Sequence, residues 1–392
     1  MSGVTVDTLF MSAAVADGTS ADLQMNRSIL VRDRRIAWLG HEDEAPELGG
    51  DARVIDAGGT TVVPGMVDAH SHTVLPGGSH WIARIDDSTE ELLLVAEENG
   101  EIAYSAGTRW FRDVGSPPRN GKALALRVRD AWKSRHDRPY VRAAGTWISK
   151  SGVLPPTIDI EAADADELVA AVISQIADGT DLVKLYLDGP DVDTSPWTAD
   201  EIARAVAVAH ERDVPVTAHA TRLEGARAGV GGGVDCIEHG SHLDVELAGE
   251  MAKRGTYLVP TLGVLASWES FATTTSIERF AAEEGKGLLA ARKELAYQSV
   301  GLARRAGVKI AAGTDFGGGS LRANQMAWEV ECLVAAGLEP WEALGAATWV
   351  GGDLLGEPDA GRLRVGGPAD FFLVHGNPLD DPSALWRVWR SG

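Results

Sequence analysis

Along the first sixty residues apolar and polar positions alternate, at 4–11, at 28–40 with Ile29, Val31, Ile36 and Trp38, and at 53–56. A period of two is the pattern of strands with one buried face, and helical periodicity is weak there. The last thirty residues read similarly, with short β-like runs over 361–374 broken by Gly and Pro. Between these ends the pattern changes. Short apolar runs are each followed by Ala- and Leu-rich stretches, the alternation of parallel βαβ units. Strands are predicted near 61–72, 108–114, 140–148, 182–187, 214–220, 234–239, 257–262 and 309–315, with helices such as 163–177, 199–212, 245–254 and 277–305 between them. Eight units predict an α/β fold, a (β/α)8 barrel whose strand C-termini share one mouth. The rival is an open doubly wound sheet. No strand is followed by a Gly-x-Gly-x-x-Gly turn, and the run Gly229–Gly233 lies between helix and strand, where it stops a helix rather than cradles a phosphate.

Composition narrows the function classes. The 392 residues are 44% apolar and 24% charged, ordinary globular usage. Lys and Arg number 36 against 57 Asp and Glu, a net charge of −21 that repels phosphate backbones and anionic lipid heads. Neither nucleic acid nor membrane is an expected partner. No apolar run approaches the roughly 18 to 20 residues of a membrane span, and no basic residue precedes an apolar stretch at the start, as a signal peptide requires. Cys236 and Cys332 form no metal-binding spacing. A cytoplasmic location is the expectation.

Four predicted strands end in residues that bind metals. The segment 64–72 closes on His70 and His72, spaced i, i+2, which places both imidazoles on one strand face about 6.5 to 7 Å apart at the backbone. Apolar runs at 214–219 and 234–239 end in His219 and His239, and 309–315 ends in Asp315. Alone, a His-x-His pair is weak; four matching strand ends converge on one barrel mouth and suit Zn2+ or a similar divalent ion. Lys184 adds an ammonium inside the apolar strand 182–187, in a chain with eight lysines and 28 arginines. A bare charge there is costly, and an ion pair with Asp113 or Asp68 would be its structural explanation.

These residues resemble the amidohydrolase superfamily, within it the imidazolonepropionase-like group that includes prolidase-like dipeptidases and arginine carboxypeptidases. The resemblance spans nearly the whole chain. It rests on Pro-Gly-Met-Val-Asp-Ala-His-Ser-His at 64–72, Arg-Asp-Val-Gly at 112–115, Val-Lys-Leu at 183–185, Val-Thr-Ala-His at 216–219, Gly-Val-Asp-Cys-Ile-Glu-His-Gly at 233–240, Val-Pro-Thr-Leu at 259–262, Ala-Gly-Thr-Asp-Phe-Gly at 312–317 and Gly-Arg-Leu-Arg-Val-Gly-Gly-Pro-Ala-Asp-Phe at 361–371. It implies two divalent ions, Zn2+ being expected, with His70, His72 and Asp315 on one, His219 and His239 on the other, and a carbamate formed from CO2 on Lys184 bridging them. It also implies a catalytic barrel over 62–360 and a small β-sandwich from 1–61 plus 361–392. Relatives usually continue past 392 into another short strand, so a trimmed sandwich edge is expected. Homo-oligomers are common among them.

The chemistry implied is hydrolysis of a C–N amide bond in a small molecule such as a dipeptide or N-acyl amino acid, with Asp315 carrying the proton. Tyr186, two beyond Lys184 on the same face, is a candidate donor to the developing oxyanion. Asp68 reads as a partner of a ligand or an interior ion pair, Arg112 with Asp113 as an internal salt bridge, and His242 as a loop residue. His41, His136, His210 and His375 read as surface or packing residues. Trp81, 147–166 and 265–285 are expected as long loops at the mouth. Cyclic-amide hydrolysis is the near alternative. A one-metal deaminase needs a Glu three residues after the third His, where this chain has Arg222. A binding protein on the same fold would be expected to have lost ligands, and all six are present.

Overall fold

The computed structural model describes residues 6–155, 157–191 and 193–391; the outermost parts of the two predicted end segments, 1–5 and 392, and Pro156 and Val192 lie outside the described residues. Strand Thr8–Val15 organises the chain ends. It pairs antiparallel with Gln24–Arg32, which pairs in turn with Arg35–His41. Its first half lies parallel to Arg53–Asp56 and its second half parallel to Thr60–Pro64. Thr60–Pro64 then takes Phe371–His375 antiparallel, and that strand holds Val388–Ser391. One seven-stranded sheet therefore contains strands from both chain ends. Phe10, Ile29, Ile36, Val62, Phe371 and Leu373 bury one apolar face of it.

The apolar run at 61–72 is two strands. Thr60–Pro64 belongs to the end sheet and Met66–Ser71 opens the barrel, and every residue of both is buried. No polar position marks the change of sheet, so alternation cannot reveal it.

From Met66–Ser71 the pairing runs in parallel to Thr108–Asp113 and Tyr140–Ala143, then through an Ala144–Leu182 bridge to Val183–Tyr186. It continues through Val216–Ala220, Cys236–His239 and Tyr257–Val259. Residues 309–316 complete the circle, bridging Leu258 through Ile310 and Ser71 through Phe316. That final segment is irregular, yet the main chain secures both its sides: the Ala311 amide donates to Leu258 O at 3.0 Å and the Asp315 amide to His70 O at 2.7 Å. The eight strands form a closed parallel barrel. Helices begin where the sequence supplies caps, as at Ser88 with Glu91 and Thr198 with Glu201, each a reciprocal box. Val183, Leu185, Val216, Ala218 and Ile237 from the strands pack with Ile202, Val206 and Leu247 from the helices in one core.

Three predicted elements change at the mouth. The strand 140–148 is interrupted after Ala143, and Trp147–Lys150 pairs with Val183–Tyr186 through Ile148 on one side and with Asp159–Ala162 on the other. The segment 265–285 is largely helical, with Leu262–Thr274 and Glu278–Ala281. The helix 277–305 is broken at Ala282, whose extended backbone separates Glu278–Ala281 from Glu283–Ala306. No helix among the described residues is long and apolar enough to cross a membrane.

The end sheet is locked to the barrel at Gly18, where φ is +72° and an added Cβ would lie 2.5 Å from the Gly345 nitrogen. Its carbonyl accepts from the Trp349 indole at 2.9 Å. Gly59 has a similar φ of +77° with nothing within 4 Å of a Cβ. Gly59→Ala should therefore cost only the left-handed strain, about 1 to 2 kcal/mol. Gly18→Ala should cost that plus about 1 to 3 kcal/mol of overpacking, read as a larger fall in urea midpoint.

Candidate metal centre

His70, His72 and Asp315 are brought together by the first and last barrel strands. The Asp315 Oδ1 lies 3.4 Å from His70 Nε2 and 3.2 Å from His72 Nε2. Their ligand atoms all fall within 4.8 Å of one another. Beside them, His239 Nε2 lies 3.0 Å from His219 Nδ1. The His70 and His239 rings are 4.9 Å apart between centroids. The structure thus brings all four histidines and the aspartate together at the strand ends.

Each imidazole has its other nitrogen tied outward. His70 Nδ1 donates to Glu238 Oε2 at 2.7 Å, and His72 Nδ1 donates to the Gly115 carbonyl at 2.7 Å. His239 Nδ1 meets Thr261 Oγ1 at 2.8 Å, and His219 Nε2 lies 3.2 Å from Asp188 Oδ2. Partners of this kind set ring orientation, and where they accept, as Glu238, the Gly115 carbonyl and Asp188 do, they favour a proton on the outer nitrogen and leave the inner one to face the site. A Cβ on Gly318 would sit 2.1 Å from His72 Cδ2, so only glycine leaves that ring its place.

Backbone conformation aims three of these residues. In the strand register His219 stands opposite Glu238, so simple alternation would turn His239 away from the interior. His239 has φ +70°, Thr261 φ +51° and Asp315 φ +55°. Left-handed backbone at three non-glycine strand ends costs on the order of 1 to 3 kcal/mol each, and it accompanies the re-aiming of His239 beside His219.

Lys184 is buried, and its Nζ has no hydrogen-bond partner. Neither predicted ion pair forms. Asp113 accepts from the Thr73 and Gly115 amides at 2.7 and 3.0 Å, and Asp68 accepts from the Thr314 amide and hydroxyl at 2.9 and 2.6 Å. Burial foremost pushes the lysine down to about 8. Burial likewise pushes the Asp68 carboxyl up to about 6. Asp315 behaves oppositely: burial opposes its charge, but His70 and His72 hold it well below the usual carboxylate range. Burial and the neighbouring His219 and His70 drive His239 well below its usual value, toward the neutral form that binds metals.

Arg112 does not pair with Asp113. Its guanidinium meets Glu238 Oε1 at 2.6 Å, and the same carboxylate accepts from Thr217 and His70. Glu238 and Asp188 are residues the sequence reading missed. Glu238 carried a usable signal, a charged residue before the strand-end histidine of 236–239; Asp188 did not, since it lies just past its strand. Tyr186 stacks on His219 with centroids 4.1 Å apart, and burial pushes its hydroxyl up to about 12, so it remains a donor. His242 Nδ1 donates to the Thr221 carbonyl at 2.7 Å.

Comparison with known proteins agrees with this geometry. The sequence is 31% identical over 354 residues to an uncharacterized protein of Mycobacterium tuberculosis, covering 89% of this chain and 88% of that one. It is 26% identical to ochratoxinase of Aspergillus niger, over 94% of this chain and 82% of that enzyme. The fold matches the crystal structure of a Xaa-Pro dipeptidase with methionine bound in the active site, with a TM-score of 0.84, 27% identity and 97% of each chain covered. The Amidohydrolase family pattern matches residues 61–390, and the chain belongs to that family of hydrolases.

Proposed function

We propose that the protein hydrolyses a C–N amide bond of a small linear substrate, a dipeptide or N-acyl amino acid, using two divalent ions, Zn2+ being the expected metal. The observation that carries this reading is the outward tethering of all four histidines, which leaves four ring nitrogens grouped with Asp315 at the strand ends, with the unpartnered Lys184 Nζ within electrostatic reach of His70, His219, His239 and Asp315. This donor set suits metal ions. His70, His72 and Asp315 would hold one, His219 and His239 the other, and Lys184 would serve both. When bound, such a pair supplies Lewis acidity and lowers the pKa of water toward neutrality.

Lys184 cannot serve as an ammonium, which would repel both cations. With its pKa lowered to about 8, chiefly by burial, a fraction is neutral amine at physiological pH. That amine attacks CO2, an N–C bond forms and a proton leaves, giving a carbamate anion with two oxygens. Asp315 directs Oδ1 at His70 and His72, which leaves Oδ2 to take the proton of the attacking water and pass it to the departing nitrogen. Tyr186, opposite His219 on the adjoining strand, donates its hydroxyl to the carbonyl oxygen as charge develops there.

A screen of dipeptides, N-acyl amino acids, cyclic amides and aminated heterocycles with zinc-loaded protein tests the assignment. Amide cleavage with about two metals per chain is expected; ammonia release from heterocycles alone would overturn it. Asp315→Asn keeps an oxygen at the site but not the proton acceptor, so kcat should fall by about 10² or more while metal content falls less. Lys184→Ala should lose metal and activity together, with partial return of both on adding short carboxylates. An unmodified amine in active, metal-loaded protein, seen by mass spectrometry under CO2-retaining conditions, would remove the carbamate from the scheme.

A further inference from the structure

A cavity of about 490 Å3 lies between the end sheet and the barrel, lined by Phe10, Val31 and Phe371 from the sheet and by Tyr104, Arg109 and Tyr140 from the barrel side. Its volume is that of a small-molecule site. Arg109 and Tyr140 stand at the starts of strands Thr108–Asp113 and Tyr140–Ala143, whereas the metal ligands stand at strand ends. The cavity is therefore on the opposite face of the barrel from the metal centre, and about 13 Å of strand separates Arg109 from Asp113. Nothing in the chemistry above uses it.

The wall of this cavity is basic where the molecule is acidic. Five arginines and a histidine line it against two aspartates, in a chain with 57 acids to 36 lysines and arginines. Some of that charge is spoken for. Arg138 pairs with Glu97 and Asp137, and the buried Arg109 donates to the Tyr104 and Thr108 carbonyls and lies over the Tyr104 ring. Burial pushes the Asp370 carboxyl up toward its neutral form, and its Oδ2 is enclosed without a hydrogen bond, so this acid offsets little of the excess. Among the described residues the side chains of Arg34 and Arg390 have neither an ion pair nor a hydrogen bond. The Arg390 guanidinium lies only over the Phe10 ring, 5.8 Å from its centre.

Arg34 also stands where its own backbone disfavours it. Arg32 pairs with Arg35 across a two-residue turn in which Asp33 and Arg34 have φ of +49° and +61°. Turns of this type favour Asn-Gly, because glycine takes left-handed backbone without strain. The strained turn is fastened to the neighbouring wall: the Ala369 amide donates to the Arg34 carbonyl at 2.8 Å, and Arg35 forms a bridge with Pro368. The base of the guanidinium is thus fixed at the cavity. Beside it the Phe10 and Phe371 rings meet edge to face, 5.2 Å apart. We infer that this cavity is a second binding site, for a small aromatic anion whose carboxylate, phosphate or sulfonate head meets Arg34 and Arg390 while its ring packs on the aromatic wall. Guanidinium forks match the oxygens of such heads, and the site stands independently of the metal centre and its reaction.

The test is calorimetric titration of zinc-loaded protein with naphthalene-2-sulfonate, a poor metal ligand, and with the neutral naphthalene-2-methanol. The sulfonate should bind about 10- to 100-fold more tightly than the alcohol, the scale of one charge-assisted hydrogen bond, and less tightly as salt is raised. Arg34→Gly and Arg390→Gln should each weaken the sulfonate about tenfold and leave the alcohol unchanged. Because glycine relieves the turn, Arg34→Gly should melt no lower than the natural chain, so its lost affinity reports the missing charge. Should it melt lower, Arg390→Gln carries the comparison. Naphthalene-2-carboxylate and 2-naphthyl phosphate, titrated in the same way into the natural chain and both variants, identify the preferred head group. Equal affinity for anion and alcohol, no binding of any of the three anions at millimolar concentration, or anion affinity kept in both variants would overturn the inference, whatever the protein hydrolyses.

Discussion

Glu238 is the charge on which the centre depends. It is fully buried and sits between the Arg112 guanidinium, the Thr217 hydroxyl and the His70 imidazole. Burial disfavours its charge, yet the adjacent Arg112, Lys184 and His70 hold it well below the usual carboxylate range. An ionised carboxylate in a dry barrel is tolerable only because its neighbours supply both countercharge and hydrogen bonds. In return it fixes which nitrogen of His70 carries the proton, and so which nitrogen faces Asp315. Removing either member of the Arg112–Glu238 pair would leave the other buried and uncompensated, a loss on the order of 3 to 5 kcal/mol.

The same logic extends around the mouth in different materials. A carboxylate orients His70, a main-chain carbonyl His72, a hydroxyl His239 and a second carboxylate His219. The hydroxyl is itself held indirectly: Glu329, buried in helix Met326–Ala335, accepts from the Leu262 and Gly263 amides at 3.0 and 2.6 Å, just after the left-handed Thr261. Asp68 ties the first barrel strand to Thr314 of the last, next to Asp315. The strained residues are therefore surrounded by bonds that over-determine them, which is the condition under which such conformations persist. Rigid scaffolding at the strand ends contrasts with the helical segments 262–274 and 278–306 that roof the mouth. The former fixes the histidines and Asp315, whereas the latter carries Trp268 with the Arg292 guanidinium over its ring.

How much of this was written in the sequence differs by level. Alternation at the ends and apolar run followed by helix in the middle are local properties, and they determined the barrel and the β-rich ends. The six ligand candidates were legible because a barrel sends every strand C-terminus to one mouth, so position along each strand suffices to predict convergence. The change of sheet at Gly65 was hidden, since both strands it separates are buried on both faces and the residues on either side of it, Val62 to Val67, include no polar side chain. The helix Leu262–Thr274 fell largely in a segment, 265–285, read as a loop because its apolar spacing answers to neighbours across the mouth rather than to a stripe of its own.

Which partner each charged group takes was decided only by the tertiary structure. Arg112 and Asp113 are adjacent in sequence, but consecutive strand residues face opposite sides, so the arginine reaches Glu238 across the barrel while the aspartate caps the Thr73 and Gly115 amides. Lys184 has Glu238 and Asp315, on two different strands, within electrostatic reach and hydrogen-bonds to neither, a result that depends on the positions of whole strands rather than on any spacing. Sequence sets the type of residue at each strand end; the left-handed turns at His239, Thr261 and Asp315 and the closure of the ring set where their atoms point. Those depend on contacts between residues from 20 to 246 positions apart, for which a linear pattern carries no coordinate.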